Sequence, residues 1–145
     1  MTTRRAVTRV VCTLCLSSAA CGTPTAPDPI LWEAELVAEP AAGDMQGGVA
    51  MVAGTHTLIG IGITNGPAEN TLRWVIRSGR CATTGSPVAP QSTFPDLTVS
   101  EAGEAATETT IRRRLDGSAQ YAAEVFFTTD ATTVRAACAD LERVQ

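Results

Sequence analysis

Two cysteines, Cys81 and Cys138, constrain the fold of this chain more than any other feature of its sequence. The chain has five cysteines in 145 residues, and the other three all lie within the first 21. That N-terminal stretch has the composition of an export leader, so these two are the only thiols in the part expected to fold. Cysteines in exported domains usually form disulfides. The pair therefore predicts one bridge that closes a long loop in a small β-fold.

Residues 1–20 predict a signal peptide. Three arginines near the N-terminus are followed by an apolar run over residues 10–16 and by four small residues at 17–20. This order of charged, apolar and small segments is the pattern of a secretory leader. The apolar run is shorter than the ~20 residues of a transmembrane helix. We therefore expect the segment to direct export and then to be removed.

Cys21 stands directly after the small residues, and the run from Leu16 to Gly22 resembles the processing site of bacterial lipoproteins. In those proteins the cysteine is lipidated and becomes the new N-terminus. One departure is Ser18, because a large aliphatic residue is usual three positions before the cysteine, and Leu16 lies two positions further back. The alternative is a secretory signal cut after Ala20, which would leave Cys21 as a free thiol.

The remaining organisation is simple: residues 21–29 form the lipid-anchor site and a linker, and residues 30–145 form one folded domain. Three prolines among small polar residues make the linker a semi-extended spacer. The rest of the chain, about 115 residues, has a usual length for a single domain. We therefore expect the domain to stand off a membrane surface on a short tether.

The charge of the mature chain is acidic. The full sequence has 11 basic residues, all arginine, against 15 acidic residues; three arginines leave with the leader, so the net charge falls from −4 to −7. Such a domain lacks the overall electrostatic attraction that binds nucleic acid or anionic lipid. The one basic run, Arg112 to Arg114, is expected on a strand, where neighbouring side chains alternate faces and make no single patch. We expect no nucleic-acid partner.

Short segments rich in β-branched and apolar residues, separated by turn residues, predict strands along the whole domain. No segment shows a sustained helical period. Several short strands at this spacing are typical of an all-β sandwich or barrel. The predicted strands are residues 31–37, 47–53, 57–64, 72–77, 96–100, 105–115, 121–128 and 134–141.

Four motifs together carry a resemblance to a known family. They are Trp74-x-x-x-x-Gly79-x-Cys81, Phe94-Pro95-Asp96-Leu97 leading to Gly103, Tyr121-x-x-x-Val125, and Ala137-Cys138-Ala139-Asp140-Leu141. The chain resembles bacterial exported proteins with a domain related to copper/zinc superoxide dismutase, and more loosely CHRD-type domains. The resemblance implies a single Greek-key, immunoglobulin-like β-sandwich of about eight strands. It also implies that the two cysteines pair.

The chain departs from this family at the metal ligands. Where the family has two histidines after the tryptophan, this chain has Val75 and Arg77, and it contains one histidine in total. A copper or zinc centre of the dismutase type needs several imidazole ligands. We therefore expect no catalytic residues, no cofactor and no enzymatic activity.

His56 is the remaining candidate for a metal ligand, with Met45 and Met51 upstream of it. Thioether sulfur and imidazole nitrogen together could hold Cu(I). The alternative is that His56 lies on a surface loop and that both methionines pack apolar surface. We favour the second interpretation, because it needs no cofactor.

The sequence predicts a non-catalytic, membrane-anchored lipoprotein of the cell envelope that serves as a structural or interaction module. Its partners would be the membrane, through the N-terminal lipid, and a further protein or envelope component. The domain would face the periplasm or the cell exterior. Two alternatives stay open: a periplasmic domain that binds copper or a small ligand, and, from the resemblance alone, a superoxide dismutase-type enzyme.

Overall fold

The structure, a computed structural model, describes residues 26–128 and 133–144. The leader and Cys21 lie outside this part of the chain. Two short 3-10 helices occupy Pro40–Ala42 and Gln91–Thr93. The strands within it are β1 (Ile30–Glu35), β2 (Val37–Ala38), β3 (Gln46–Ala53), β4 (Thr57–Thr64), β5 (Thr71–Arg80), β6 (Thr83–Pro87), β7 (Leu97–Thr98), β8 (Ala105–Ile111), β9 (Tyr121–Thr128) and β10 (Thr133–Val144).

All strand pairings are antiparallel and belong to one curled sheet. The order across the sheet is β6-β5-β9-β10-β1-β3-β4-β8, with β2 beside β10 and β7 beside β5. The long strand β10 joins the two halves, since residues 133–141 pair with β9 and residues 142–144 pair with β1. The predicted all-β class is confirmed.

Contacts between the two ends of the sheet close the curl. The Thr109 hydroxyl on β8 donates to the carbonyl of Thr93, and the Arg113 Nη2 group donates to the carbonyl of Val88 over 2.6 Å. The backbone N–H of Val88 in turn donates to Ile76 of β5 over 2.9 Å. The segment after β6 therefore bridges β5 and β8.

The core lies inside the curl, where alternate residues of each strand point. Trp32 of β1 meets Tyr121 edge-to-face at a centroid distance of 5.8 Å, and Trp74 of β5 meets Phe94 at 5.0 Å. The Trp74 indole N–H also donates to the carbonyl of Pro95 over 2.6 Å, which satisfies its one polar atom. The two tryptophans therefore organise the two halves of the core.

The strand predictions differ from the structure at several places. The predicted strand 31–37 is interrupted at Leu36, and the predicted strand 96–100 is reduced to Leu97–Thr98. Gly79 does not end β5; it takes a φ of +93° at a register shift, and the strand continues to Arg80. The turn-like sequence Thr83–Pro87 forms strand β6, which was not among the predicted strands. The run Arg112 to Arg114 does not lie on a strand, because β8 ends at Ile111.

Candidate functional site: an acidic groove beside the disulfide

A groove of about 640 Å³ lies on the outer surface where β1, β2 and β10 meet the turn between β5 and β6. The disulfide cysteines form part of its wall, and Arg135 is the only basic residue among those that line it. Five carboxylates surround them: Glu33, Glu35, Glu39, Asp140 and Glu142. The groove therefore has a predominantly negative lining.

The two walls of the groove arise from an interruption between β1 and β2. Leu36 turns into the core there, and its backbone N–H donates to Gly47 of β3 over 2.9 Å. The strands on either side of Leu36 keep one register against β10, since Glu33 faces Glu142 and Val37 faces Cys138. Alternate outward residues of the opposed strands thus line the two walls.

Glu33 and Glu142 are directly opposite each other on neighbouring antiparallel strands. Both side chains are exposed, so water screens their repulsion. Like charges in this arrangement still destabilise a sheet relative to a neutral pair. The groove therefore carries a small unfavourable charge–charge energy that a cationic group placed in it would relieve.

The bridge predicted between Cys81 and Cys138 is present, with a Cα–Cα distance of 5.9 Å that is usual for disulfides. Two further contacts hold Cys81 in place. Its backbone N–H donates to Asp140 Oδ1 over 2.6 Å, and its carbonyl accepts from Arg135 Nη1 over 3.1 Å. Asp140 and Arg135 of β10 therefore bind the β5–β6 turn, which the disulfide also attaches to β10.

Glu124 of β9 is a buried carboxylate under this loop, with 6% of its side chain exposed. Arg77 Nε lies 2.7 Å from Glu124 Oε2, and Arg135 Nη1 lies 3.3 Å from Glu124 Oε1. Charge-assisted hydrogen bonds of this kind compensate the cost of removing a carboxylate from water. The two arginines therefore make the burial of Glu124 possible.

Arg135 connects this buried pair to the groove. Its Nη2 group lies 2.8 Å from Glu39 Oε1, while its Nη1 group reaches Glu124 and Cys81. The hydrogen bond to the Glu39 carboxylate raises the pKa of Arg135 above its ordinary value, with the contact to Glu124 adding to the effect. Arg135 is therefore a fully engaged structural cation.

The residues considered as metal ligands do not come together. Met45 and Met51 are buried in the core, whereas His56 is exposed in the turn between β3 and β4. Met45 precedes β3 and His56 follows it, so the length of the strand separates them. Within residues 26–128 and 133–144, no group of three or more His, Cys, Asp or Glu side chains is placed to hold a metal ion.

Sequence reasoning missed the groove and the role of Glu124. A signal was present for Glu124, since it is the one charged residue in the otherwise apolar run Tyr121–Phe127. Charged side chains are rarely buried without a partner. That run could therefore have pointed to a buried ion pair, although not to the two arginines that form it.

In comparisons with protein-family models, with curated proteins and with solved structures, no match to this chain was found. The resemblance to the superoxide dismutase-like domain therefore stays a prediction. Among the described residues no helix has the length and apolar character needed to cross a membrane.

Proposed function

We propose that this protein is an exported, lipid-anchored and non-catalytic domain of the bacterial cell envelope, serving as a structural or interaction module. The observation that carries the proposal is the Cys81–Cys138 disulfide. Structural disulfides persist in oxidising compartments and are rare in the cytosol of most organisms. The disulfide therefore supports export through the leader at residues 1–20, with lipidation at Cys21 and a domain that faces the periplasm or the cell exterior.

The finer fold assigned to this module is a Greek-key β-sandwich of the superoxide dismutase-like class. Support comes from the strand order, in which the antiparallel strands β1, β3 and β4 are neighbours and the last strand, β10, returns beside β1. The two halves of the curled sheet also share one hydrophobic core. Both features are usual for sandwiches of this kind.

A non-catalytic role agrees with the way the charged groups are used. Glu124 and Arg135 bind each other, and Arg135 also binds the Cys81 carbonyl, so both stabilise the fold. Glu39 and Asp140 also have structural partners, in Arg135 and in the Cys81 N–H. The exposed carboxylates Glu33, Glu35 and Glu142 remain for interaction. A partner that fits there carries positive charge, such as a basic segment of an envelope protein.

Intact-mass spectrometry of the protein purified from an exporting bacterial host tests the proposal. We expect a mass that begins at Cys21, includes acyl chains, and rises by two hydrogens on reduction. Cleavage after Ala20 without acyl chains would contradict the anchor alone. A full-length, unlipidated and already reduced chain would contradict export and the oxidised fold together.

Binding of a short oligo-arginine peptide tests the groove as the interaction surface. The double variant Glu33→Gln/Glu142→Gln removes two charges from the groove, and Glu101→Gln/Glu104→Gln removes two from a distant turn as a matched control. We expect the groove variant to bind the peptide more weakly than the control. Equal weakening in both variants would show only a response to net charge and would reject the groove.

A further inference from the structure

The antiparallel topology gathers many of the loops of the domain at two opposite ends. We call one the tether end, because β1 begins there; it comprises residues 26–29, 54–56, 112–120 and 143–144. The far end comprises residues 39–45, 65–70 and 99–104. The hydrogen bond from the Gly66 N–H to the Gly103 carbonyl, over 2.9 Å, joins two of the far-end loops.

The two ends carry opposite charge. The tether end has four arginines and two aspartates, whereas the far end has five carboxylates and no arginine. The formal charges of these loops are therefore +2 at the tether end (4 − 2) and −5 at the far end (0 − 5). The expectation that Arg112 to Arg114 lie on a strand is wrong, because the three residues belong to the loop that follows β8. The tether-end arginines are Arg112, Arg113, Arg114 and Arg143.

Hydrogen bonds hold the basic loop in place at the tether end. The buried Thr57 hydroxyl donates to the Arg113 carbonyl over 2.8 Å and accepts from the Leu115 N–H over 3.1 Å. Arg114 Nη2 donates to the Asp28 carbonyl over 2.8 Å, which ties the loop to the segment that leads into β1. Arg112 and Arg143 remain exposed.

A row of aliphatic side chains lies at the rim of the same end. Val144, Leu31, Val52 and Leu58 are successive register partners across β10, β1, β3 and β4. Three of them are exposed, at 43% for Val144, 37% for Val52 and 46% for Leu58. Aliphatic side chains next to arginines suit the boundary between lipid headgroups and acyl chains.

We propose that the tether end rests on an anionic lipid surface, with the exposed Arg112 and Arg143 against the headgroups and the aliphatic row at their edge. This inference rests on the proposed lipid anchor at Cys21. Eight residues separate Cys21 from Ile30, and a chain of that length spans at most about 30 Å when fully extended. The anchor therefore keeps the basic end, and not the acidic end, next to the membrane.

A row of acidic residues behind the aliphatic row determines how the domain is oriented on the membrane. Glu142 and Glu33 lie two residues behind the aliphatic row along their strands, which is about 7 Å, and Glu108 lies in the same register row as the partner of Gly60. An anionic surface would repel this row if the sheet lay flat on it. The domain is therefore held end-on, which leaves the acidic groove accessible from the side.

Hydrogen exchange on the lipidated protein, bound to vesicles of phosphatidylcholine with and without phosphatidylglycerol, tests the docking. Flotation reports the anchor independently. We expect exchange in residues 54–56 and 112–120 to slow when phosphatidylglycerol is present, while the loops 65–70 and 99–104 stay unchanged. The variant Arg112→Gln/Arg143→Gln should lower the docked-to-undocked ratio about fivefold per arginine removed. Arg73→Gln, which replaces an exposed arginine on β5, is the control for the loss of one charge.

The possible results distinguish the lipid anchor at Cys21 from docking of the tether end. Flotation with exchange that is the same in both vesicles, or equally changed at both ends, would overturn the docking and leave the anchor standing. An Arg73→Gln effect as large as the effect per arginine in the double variant would also overturn it, because the location of the charge would then not matter. Failure to float with either vesicle would overturn the anchor and, with it, the docking.

Discussion

Glu124 and Cys138 are register partners on β9 and β10, so a buried carboxylate lies directly beside one half of the disulfide. The other half, Cys81, belongs to a loop whose carbonyl accepts from Arg135, the same arginine that binds Glu124. The covalent bridge and the ion pairs therefore act on one small region. They attach the β5–β6 turn to β10 and keep the carboxylate covered.

Removal of the bridge should cost much of the stability of the domain. The two cysteines are 57 residues apart, and closing a loop of that length contributes about 4 kcal/mol in the chain-entropy model. We expect Cys81→Ala to lower the thermal midpoint on the order of 15 °C. The double variant Cys81→Ala/Cys138→Ala should lose no more than this. An unchanged midpoint in Cys81→Ala, or in reduced wild type, would contradict a stabilising role for the bridge.

The ion pairs around Glu124 should be non-additive. Arg77→Met or Arg135→Met leaves the carboxylate one partner, so each should cost about 1–3 kcal/mol in urea unfolding. The double variant leaves Glu124 buried without a cation and should cost more than the sum of the two. Arg73→Met, on the exposed face of β5, is the control and should change stability little. A double variant that is merely additive would indicate that water reaches Glu124.

Two glycines should respond oppositely to alanine. Gly79 has a φ of +93°, and a Cβ there would lie 2.5 Å from the Thr83 carbonyl oxygen, so Gly79→Ala should destabilise by about 1–3 kcal/mol. Gly60 has no atom within 4 Å of an added Cβ, so Gly60→Ala should stabilise by about 0.4–1 kcal/mol. Urea midpoints at unchanged m-value measure both. A Gly79→Ala variant as stable as the wild type would show that the register shift in β5 does not require glycine.

Alkaline titration should reveal the environment of Tyr121, which is the only tyrosine of the chain. Burial raises the pKa of Tyr121 above its ordinary value of 10.0. A raised folded-state pKa contributes stability that is complete below about pH 10 and is lost as the pH rises through the folded-state value. We expect tyrosinate absorbance to appear at higher pH in the folded protein than in denaturant. Coincident titrations would show that the phenol is solvated.

The opposed carboxylates Glu33 and Glu142 predict a stabilising substitution. Glu142→Gln removes the like-charge pair and should raise stability by about 0.2–1 kcal/mol at low ionic strength. The gain should shrink as salt is added, because the exposed pair is screened. Glu101→Gln, at the far end, is the control. A gain that is independent of salt would mean that repulsion is not its cause.

The parts of the fold that follow local rules were predictable. The alternation in Thr57–Thr64, with apolar residues on one face, predicted β4 because side chains of a strand point to opposite sides. Thr83–Pro87 could not be predicted as a strand, because Gly, Ser and Pro favour turns. That segment is extended only because Arg77, Gly79 and Arg80 of β5 pair with it.

The sequence by itself determined the all-β class, the strands that β-branched and apolar residues specify, and the two cysteines left to form a bridge. Only the tertiary structure decided which charged residues meet. Arg77 and Glu124 are 47 positions apart, and Glu39 and Arg135 are 96 apart. Pairings at such separations depend on the order and register of the strands, which local propensity does not encode. The acidic groove, the buried Glu124 and the basic tether end are therefore products of topology.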